Sequence, residues 1–266
     1  MKQEILSYIT AECPFRDTLY WYNEIDSTNT EAKRLARQGA PHGTILIAGS
    51  QTGGRGRMGR TFCSPADSGV YLSVILRPNC PPAQLMHLTC AAGVAMCDAV
   101  AKVAGFTPGI KWINDLVYEK RKLGGILTEL AIDPATGLTD YAVVGIGINC
   151  AQSEEDFPRQ IRQMAGSLAM FTGKYVDRAA LAGTMIEALW QMDGQLLTGK
   201  SAIMDRYRSL CITLGKPVCI HRDENVQYGI AESLDEEGCL TVLLENGNRQ
   251  RVNSGEVSVR GLYGYL

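Results

Sequence analysis

The sequence predicts an α+β protein in which a mixed, mostly antiparallel sheet is packed by helices and is followed by a small β-barrel domain. Strand-like and helix-like stretches alternate at first, and three consecutive strand-like stretches joined by short polar turns then favour antiparallel pairing. Around residues 213–217 the pattern changes to short strands separated by turns. We therefore predict a large first domain at residues 1–213, of a size that can hold a catalytic site, and a small second domain at residues 214–266.

The first elements follow from local residue patterns. Residues 18–22 are dense in strand-favouring side chains, and residues 28–38 have helical spacing that Gly39 ends. Two apolar stretches, residues 43–48 and 69–76, predict buried strands on either side of a loop rich in glycine and arginine. The loop is therefore expected to join two core strands.

A long apolar helix is predicted next, because residues 83–103 keep a three-to-four spacing suited to packing on a sheet. Consecutive strands are predicted at residues 110–118, 123–132 and 141–150, and the pattern is again helical over residues 177–210. In the second domain, turns at residues 235–238 and at Asn246-Gly247 separate short strands, and the latter is a strong hairpin signal.

Composition narrows the function classes. The 266 residues are 45% hydrophobic and 20% charged with a formal net charge of −2, which is typical of a globular protein and gives no global attraction to nucleic acid or membrane. No targeting pattern and no stretch near eighteen apolar residues is visible, so we expect a soluble, cytoplasmic protein. Nine cysteines without a Cys-x-x-Cys pair predict reduced, mostly buried thiols, and three isolated histidines give little support to a zinc site or catalytic triad.

The loop at residues 53–60 contains four glycines and three arginines and no acidic residue. Glycine lets the backbone turn its N–H groups inward, and guanidinium groups match phosphate or carboxylate oxygens two at a time. This composition suits the binding of an anion, although a flexible surface loop with solvated arginines is an equal alternative from the loop alone. The spacing fits neither a P-loop nor a dinucleotide-binding loop.

Three further segments combine polar residues with glycine or strand ends. Thr28 and Glu31 have capping-box spacing at a helix start, which leaves the other polar groups there free to hold a ligand carbonyl oxygen. Residues 111–115 place Asn114 and Asp115 after an apolar strand, where an ordinary turn is the simpler interpretation. Residues 122–129 begin with a lysine and then run small and apolar, so backbone there can approach a ligand, although a lone lysine in a turn is usually solvated.

A fourth segment, residues 143–149, is an apolar strand interrupted by two glycines and ended by Asn149, which suggests a strand that makes room for something flat. Taken in order, the motifs resemble those of the biotin protein ligases (biotin–[acetyl-CoA carboxylase] ligases). The matching segments are residues 27–29, 51–60, 111–115, 122–129 and 145–149.

The resemblance covers about residues 20–150, and the region after Leu214 is similar to the SH3-like C-terminal domain of the same family. It implies the class II synthetase-like fold of biotin and lipoate ligases. Because only about twenty residues precede the first predicted strand, we expect the monofunctional type, without the N-terminal DNA-binding domain and without operator binding.

The reaction implied by the resemblance has two steps. Biotin and MgATP give biotinyl-5′-adenylate and pyrophosphate, and a lysine of a biotin carboxyl carrier domain then attacks the adenylate. Mg²⁺ is expected to bind through the triphosphate and water, so no metal-binding side chain is assigned with certainty. The carrier domain is the expected partner, with no nucleic acid or membrane, while dimerisation and the identity of the carboxylase stay open.

Residue roles are implied by position in the matching motifs. Lys122, Arg57 and Asp115 are the candidate catalytic residues, with the role of Asp115 open between nucleotide, Mg²⁺ and incoming lysine. The resemblance assigns biotin binding to Ser27, Thr28, Asn29, Gln51, Gly54, Arg55, Gly56, Arg57, Lys122, Gly125 and Gly145. It assigns nucleotide binding to Arg57, Arg60, Phe62, Asn114 and Asn149.

Two positions depart from the family pattern. Ile113 stands where the family has proline, and Phe62 stands where some members place a tryptophan that stacks on adenine. Two other functions stay open at this stage. One is a lipoate or octanoate protein ligase or transferase, and the other is a non-catalytic module that binds nucleic acid through the basic loop, with Trp21, Tyr22 and Phe62 as stacking groups.

Overall fold

The computed structural model describes residues 1–222, 225–253 and 258–261, which form two β-sheets with helices packed on the larger one. The larger sheet contains strands β1 Leu19–Ile25, β2 Thr44–Gln51, β3 Gly69–Leu76, β4 Gly109–Lys111, β5 Asp115–Tyr118, β6 Arg121–Ile132 and β7 Thr139–Asn149. The helices are α1 Lys2–Ser7, α2 Thr28–Arg37, α3 Leu88–Ala104, α4 Leu168–Thr172, α5 Arg178–Gln195 and α6 Lys200–Leu210.

The larger sheet has the strand order β1-β2-β3-β7-β6-β5-β4. Only the β1–β2 pair is parallel among the described strands, so the predicted mixed, mostly antiparallel sheet is confirmed. Because β7 pairs with both β3 and β6, its glycines lie in the centre of the sheet. Gly145 is paired with Ser73, and Gly147 is paired with Tyr71 on one side and Gly125 on the other.

Helices cover both faces of this sheet. On one face α2 buries Ala32 and Ala36 against Leu46, Ile75 and Tyr141. On the other face α3 packs against α5 and α6, and most of its apolar and small side chains are buried. The stretch Pro82–Ala104 is long and apolar enough to span a membrane by length and composition, but 67% of its apolar window is buried inside the described protein, as in a core helix.

Some element boundaries differ from the predictions. The strand predicted at residues 110–118 is a tight hairpin, because Lys111 pairs with Asp115 and residues 112–114 form the turn. The helical region predicted at residues 177–210 is two helices, α5 and α6, and the segment between them includes Gly199, the residue before α6. The turn at residues 112–114 confirms the interpretation of Asn114 as part of a polar turn.

The second sheet contains β8 Pro217–Arg222, β9 Asn225–Leu234, β10 Leu240–Leu244, β11 Arg249–Val252 and β12 Ser258–Gly261. Its order is β11-β10-β9-β8-β12 and all its pairs are antiparallel. Both predicted turns join these strands, so a C-terminal β region is confirmed. The described residues show an open sheet, and its closure into a barrel stays a prediction. The turns of the two sheets touch, because the Trp112 indole Nε1 in the β4–β5 turn donates to the carbonyl oxygen of Gly238 in the β9–β10 turn at 2.9 Å.

Candidate active site

A cavity of about 470 Å³ lies where the start of α2, the glycine- and arginine-rich loop and strands β5 to β7 meet. All the predicted site residues except Gly54 and Asn149 line it. Residues that sequence reasoning did not assign complete the lining: Met58, Thr61, Lys111, Trp112, Ile126, Leu127, Ile146, Gly147 and Met164. Folding therefore brings together residues from motifs that are far apart in the sequence.

The start of α2 is capped by Ser27, whose Oγ accepts from the N–H of Thr30 at 3.4 Å. The predicted capping box, with Thr28 as the cap and Glu31 as its partner, is therefore wrong by one residue. Glu31 accepts instead from Arg34 on the next turn of the helix. The shift places Thr28 in the first helical turn, where its N–H donates to Gln51 Oε1 at 2.8 Å.

The side chains of Thr28, Asn29 and Gln51 form one hydrogen-bonded network. The Thr28 hydroxyl lies 3.2 Å from Gln51 Oε1, and Gln51 Nε2 donates to Ser64 Oγ at 2.8 Å. Asn29 Nδ2 donates to the carbonyl oxygen of Leu127 at 3.2 Å, which ties the helix to β6. The buried Asn29 amide and the half-buried Gln51 amide are oriented by the fold itself, so they are arranged before any ligand arrives.

Three residues of this network were missed from the sequence: Ser64, Ser73 and Glu129. Ser73, fully buried on β3, places its Oγ 2.7 Å from Asn29 Oδ1 and 2.8 Å from Thr28 Oγ1. Glu129 on β6 accepts from Asn29 Nδ2 at 3.0 Å. The available signals were a hydroxyl inside the apolar run of residues 70–76 and a carboxylate between apolar residues of a strand. A buried polar group in a core strand is expected to have a partner, but the sequence does not say which.

The glycines of β7 make room for side chains of the site itself. A Cβ atom at Gly145 would lie 1.8 Å from Asn29 Oδ1, and one at Gly147 would lie 2.4 Å from the Phe62 ring. A side chain at either position would therefore have to displace the Asn29 carboxamide or the Phe62 ring. The prediction that this strand makes room for something flat is thus sharpened, because the flat groups beside it are a carboxamide and an aromatic ring of this chain.

The glycine- and arginine-rich loop folds as a narrow hairpin. Gly56 N–H donates to the Arg60 carbonyl oxygen at 2.7 Å, and Phe62 N–H donates to the Gly54 carbonyl oxygen at 2.9 Å. The tip is a 3₁₀ turn, Arg57–Gly59, in which Met58 has a φ of 55°. Gly54 does not line the cavity. It lies in the first arm of the hairpin against the second arm, and a Cβ at Gly54 would lie 2.3 Å from the Phe62 carbonyl oxygen.

The arginines of the hairpin reach two different strands. Arg57 Nη1 donates to Asn114 Oδ1 in the β4–β5 turn at 3.1 Å, while Arg55 Nη1 contacts Glu129 at 3.2 Å on β6. Burial lowers the pKa of Arg57, Asp115 opposes this effect and nearby Arg60 adds to it. An arginine stays protonated at neutral pH even so. A desolvated guanidinium facing a cavity favours an anionic ligand there.

The end of the cavity away from α2 is electropositive. Among the described residues that line the cavity, Arg55, Arg57, Arg60, Lys111 and Lys122 are cationic and Asp115 is the one carboxylate. Asp115 Oδ1 lies 2.6 Å from Lys122 Nζ, which fixes the ammonium group at the cavity wall. Within the described part of the chain, no group of three or more His, Cys, Asp or Glu residues is arranged to hold a metal ion.

Asn149 lies beside the cavity without lining it. Its Nδ2 donates to the carbonyl oxygen of Gly166 at 3.0 Å, and Gly166 N–H in turn donates to the carbonyl oxygen of Lys122 at 2.9 Å. Asn149 therefore supports the strand that carries Lys122, through the segment at residues 164–166. Its predicted contact with adenine stays a prediction.

Comparison with known proteins agrees with this geometry. Residues 21–149 match the model of the biotin/lipoate A/B protein ligase family, and residues 213–260 match that of the biotin protein ligase C-terminal domain. The chain is 32% identical over 242 residues to the bifunctional ligase/repressor BirA of Bacillus subtilis, covering 91% of this chain and 74% of that protein. It is 32% identical over 239 residues to the biotin–[acetyl-CoA-carboxylase] ligase of Mycobacterium tuberculosis, covering 87% and 85%.

A solved structure is similar over nearly the same length. The biotin protein ligase from Aquifex aeolicus, in complex with biotin and ATP, superposes with a TM-score of 0.77 at 30% identity. The match covers 92% of this chain and 99% of that chain.

Proposed function

The chain belongs to the biotin/lipoate A/B protein ligase family, and we propose that it activates biotin with ATP and transfers it to a lysine of a biotin carboxyl carrier domain. The observation that carries this function is the division of one cavity into a neutral, hydrogen-bonded end and a cationic end. Biotin has the matching form, since it joins a neutral ureido ring to a carboxylate through an apolar chain.

At the neutral end, the protein leaves one donor and one acceptor for the ureido ring. Gln51 Nε2 uses one of its two N–H groups on Ser64, and Asn29 Oδ1 accepts one bond from Ser73. The remaining Gln51 N–H suits the ureido carbonyl oxygen, and the remaining Asn29 lone pair suits a ureido N–H. The apolar wall formed by Ile126, Leu127 and Ile146 suits the rest of the molecule.

At the cationic end, two anions have to meet. The biotin carboxylate oxygen attacks the α-phosphorus of ATP, and pyrophosphate leaves with the electrons of the broken P–O bond. Arg57 and Lys122 both line the cavity, and we assign to them the neutralisation of the carboxylate and the α-phosphate together, which would lower the barrier by positioning and electrostatics. The lysine amine of the carrier then attacks the carbonyl carbon, and AMP leaves. No enzyme nucleophile is required.

Mg²⁺ fits this site as the partner of ATP. Asp115, the described carboxylate of the lining, already contacts Lys122 Nζ at 2.6 Å. A protein cage for the ion is therefore not built into the described residues, and Mg²⁺ would be held by triphosphate oxygens and water. The ion would neutralise phosphate charge in the first step, while Asp115 keeps Lys122 at the cavity wall.

Biotin-dependent exchange of labelled pyrophosphate into ATP tests this proposal. Exchange is expected with biotin and not with lipoate or octanoate, because the amide network offers a donor and an acceptor to a ureido ring that neither of those acids has. Exchange with lipoate or octanoate and none with biotin would assign the chain to the other branch of its family.

We further propose that the chain works without a nucleic-acid partner. The cations of the loop turn into a cavity instead of following a groove, and Arg57 is desolvated there. Two of the three predicted stacking groups are engaged elsewhere: Trp21 Nε1 donates to Asn23 Oδ1, and the Tyr22 hydroxyl donates to Glu31 Oε1. Strong DNA or RNA binding that weakens steeply with salt, without biotin-dependent exchange, would contradict both proposals.

A further inference from the structure

One carboxylate lies outside the cavity lining and joins its two ends. Glu129 on β6 accepts from Lys33 Nζ at 2.7 Å and from Asn29 Nδ2 at 3.0 Å, both on α2. It also accepts from Arg55 Nη1 at 3.2 Å on the hairpin. The Glu129 side chain is 23% exposed. Its carboxylate connects α2, β6 and the hairpin, because it is on β6 and accepts hydrogen bonds from both of the other elements.

The contacts of Glu129 decide which atoms Asn29 can offer to a ligand. Both N–H groups of Asn29 Nδ2 are used, one on the Leu127 carbonyl oxygen and one on Glu129 Oε2. The carboxamide oxygen faces Ser73 and lies 1.8 Å from the point that a Cβ of Gly145 would occupy. As long as Glu129 accepts, Asn29 can present only an acceptor to the cavity.

Glu129 is also kept in its acceptor-only form. Burial by itself would raise the pKa of Glu129, but hydrogen bonds from Lys33 and Asn29 and the charges of Lys33 and Arg55 outweigh burial and lower it. A carboxylate with a lowered pKa is ionised at neutral pH, so both oxygens accept hydrogen bonds. Lys33 thus serves the site although it does not line the cavity.

We propose that Glu129 is a positioning residue for biotin: it holds the Asn29 carboxamide with its oxygen toward the cavity and anchors Arg55 of the hairpin beside it. The inference rests on the proposed function, since it names the orientation that a ureido N–H requires. Lys33 supports this role by neutralising the carboxylate, so that the buried charge is stable in the fold.

The variant Glu129→Gln tests the orientation. A glutamine that keeps its oxygen toward Lys33 and Arg55 turns its NH₂ group against Asn29 Nδ2, and two donors cannot bond to each other. Asn29 then keeps only its bond to the Leu127 carbonyl oxygen, and its own carboxamide oxygen is no longer held firmly in place. The KM for biotin in pyrophosphate exchange is expected to rise roughly tenfold or more, while the KM for ATP stays within about twofold of wild type.

A matched control is Glu31→Gln, the same chemical change on α2, where the carboxylate contacts Arg34 and Tyr22 outside the cavity. Its KM for biotin is expected to stay at the wild-type value. An unchanged KM for biotin in Glu129→Gln, with biotin-dependent exchange intact in wild type, overturns this inference alone. A wild-type chain with no biotin-dependent exchange overturns the proposed function and this inference with it.

The variant Lys33→Met gives a second readout that does not depend on Glu129→Gln folding. Without Lys33, the effect of burial gains weight and the pKa of Glu129 rises. Biotin affinity is coupled to the ionised form, so it is present above that pKa and lost as the pH falls through it. The acid limb of biotin affinity should therefore move to higher pH than in wild type. An acid limb at the same pH in both proteins contradicts the role of Glu129.

Discussion

The two ends of the cavity differ in how their side chains are held. At the α2 end, the side chains of Thr28, Asn29 and Gln51 are neutral, and hydrogen bonds to one another, to the backbone of β6 and to the Glu129 carboxylate hold them in place. At the hairpin end, charged side chains are held by other charges or by Asn114, and Arg55 is 43% exposed. The α2 end of the cavity includes buried residues, whereas the hairpin end includes side chains that are partly exposed to solvent.

This difference teaches that recognition of the ring and chemistry at the carboxylate belong to separate sets of residues. Neutral groups fixed by the core are suited to select a ring, because an unpaired buried amide costs more than an unpaired surface one. Cations on a hairpin and a strand edge are suited to gather two anions. Substitutions at the neutral end should therefore weaken biotin binding, and substitutions at the charged end should slow adenylate formation.

Lys122→Ala should have the largest effect, on the charged end alone. Removing the ammonium group that Asp115 holds at the cavity wall is expected to lower the rate of biotin-dependent pyrophosphate exchange about a hundredfold to a thousandfold. Lys120→Ala, which removes an exposed lysine in the turn just before β6, is the control and should exchange at the wild-type rate. Normal exchange in Lys122→Ala would remove Lys122 from the chemistry.

Gly145→Ala should have a smaller effect, on the neutral end. The added Cβ would displace the Asn29 carboxamide, which lies 1.8 Å from its position. Isothermal titration should show biotin affinity reduced roughly tenfold to a hundredfold, with ATP affinity nearly unchanged. Gly194→Ala adds the same methyl group where no atom lies within 4 Å and should bind biotin normally. Equal losses of biotin and ATP affinity in Gly145→Ala would show that the two ends are not separate.

Arg57→Gly tests retention of the adenylate at the charged end. Activation should largely continue, while the reactive adenylate escapes from a cavity that has lost its desolvated guanidinium. Labelling of a bystander protein, measured with streptavidin blotting, is expected to rise on the order of several-fold. Arg57→Lys keeps the charge and should leak less. If activation is intact and bystander labelling does not rise in Arg57→Gly, the hairpin has no retention role.

Phe62→Ala should have the smallest effect. The ring fills the space above Gly147, and losing its predicted aromatic contact with the nucleotide should raise the KM for ATP roughly threefold. Tyr175→Ala, which removes an aromatic side chain that is 81% exposed, should leave this KM unchanged. A rise in the KM for biotin of the same size would place Phe62 at the neutral end instead.

Much of the fold and of the lining was predictable because strand periodicity and ordered motifs are local signals. The sheet class, the position of the arginines in a loop between two core strands and the polar turn at Asn114 follow from residue spacing. Ser73 and Glu129 could not be assigned, because their partners lie on other strands and no local pattern encodes that pairing. The helix cap moved from Thr28 to Ser27 because two adjacent hydroxyl residues satisfy the same rule.

The glycines of β7 show the limit of the sequence most clearly. Their spacing predicts close approach to the strand, and the structure gives the approaching groups as Asn29 and Phe62. A sequence pattern indicates that space is needed, but only tertiary contacts show what fills it.

The most direct test of activation and transfer is mass spectrometry of a purified biotin carboxyl carrier domain after incubation with this chain, biotin and MgATP. The carrier should gain the mass of one biotin less water, on a single lysine, only when ATP is present. A carrier that stays unmodified with biotin, or that is modified with lipoate instead, would contradict the assignment of the neutral end to a ureido ring.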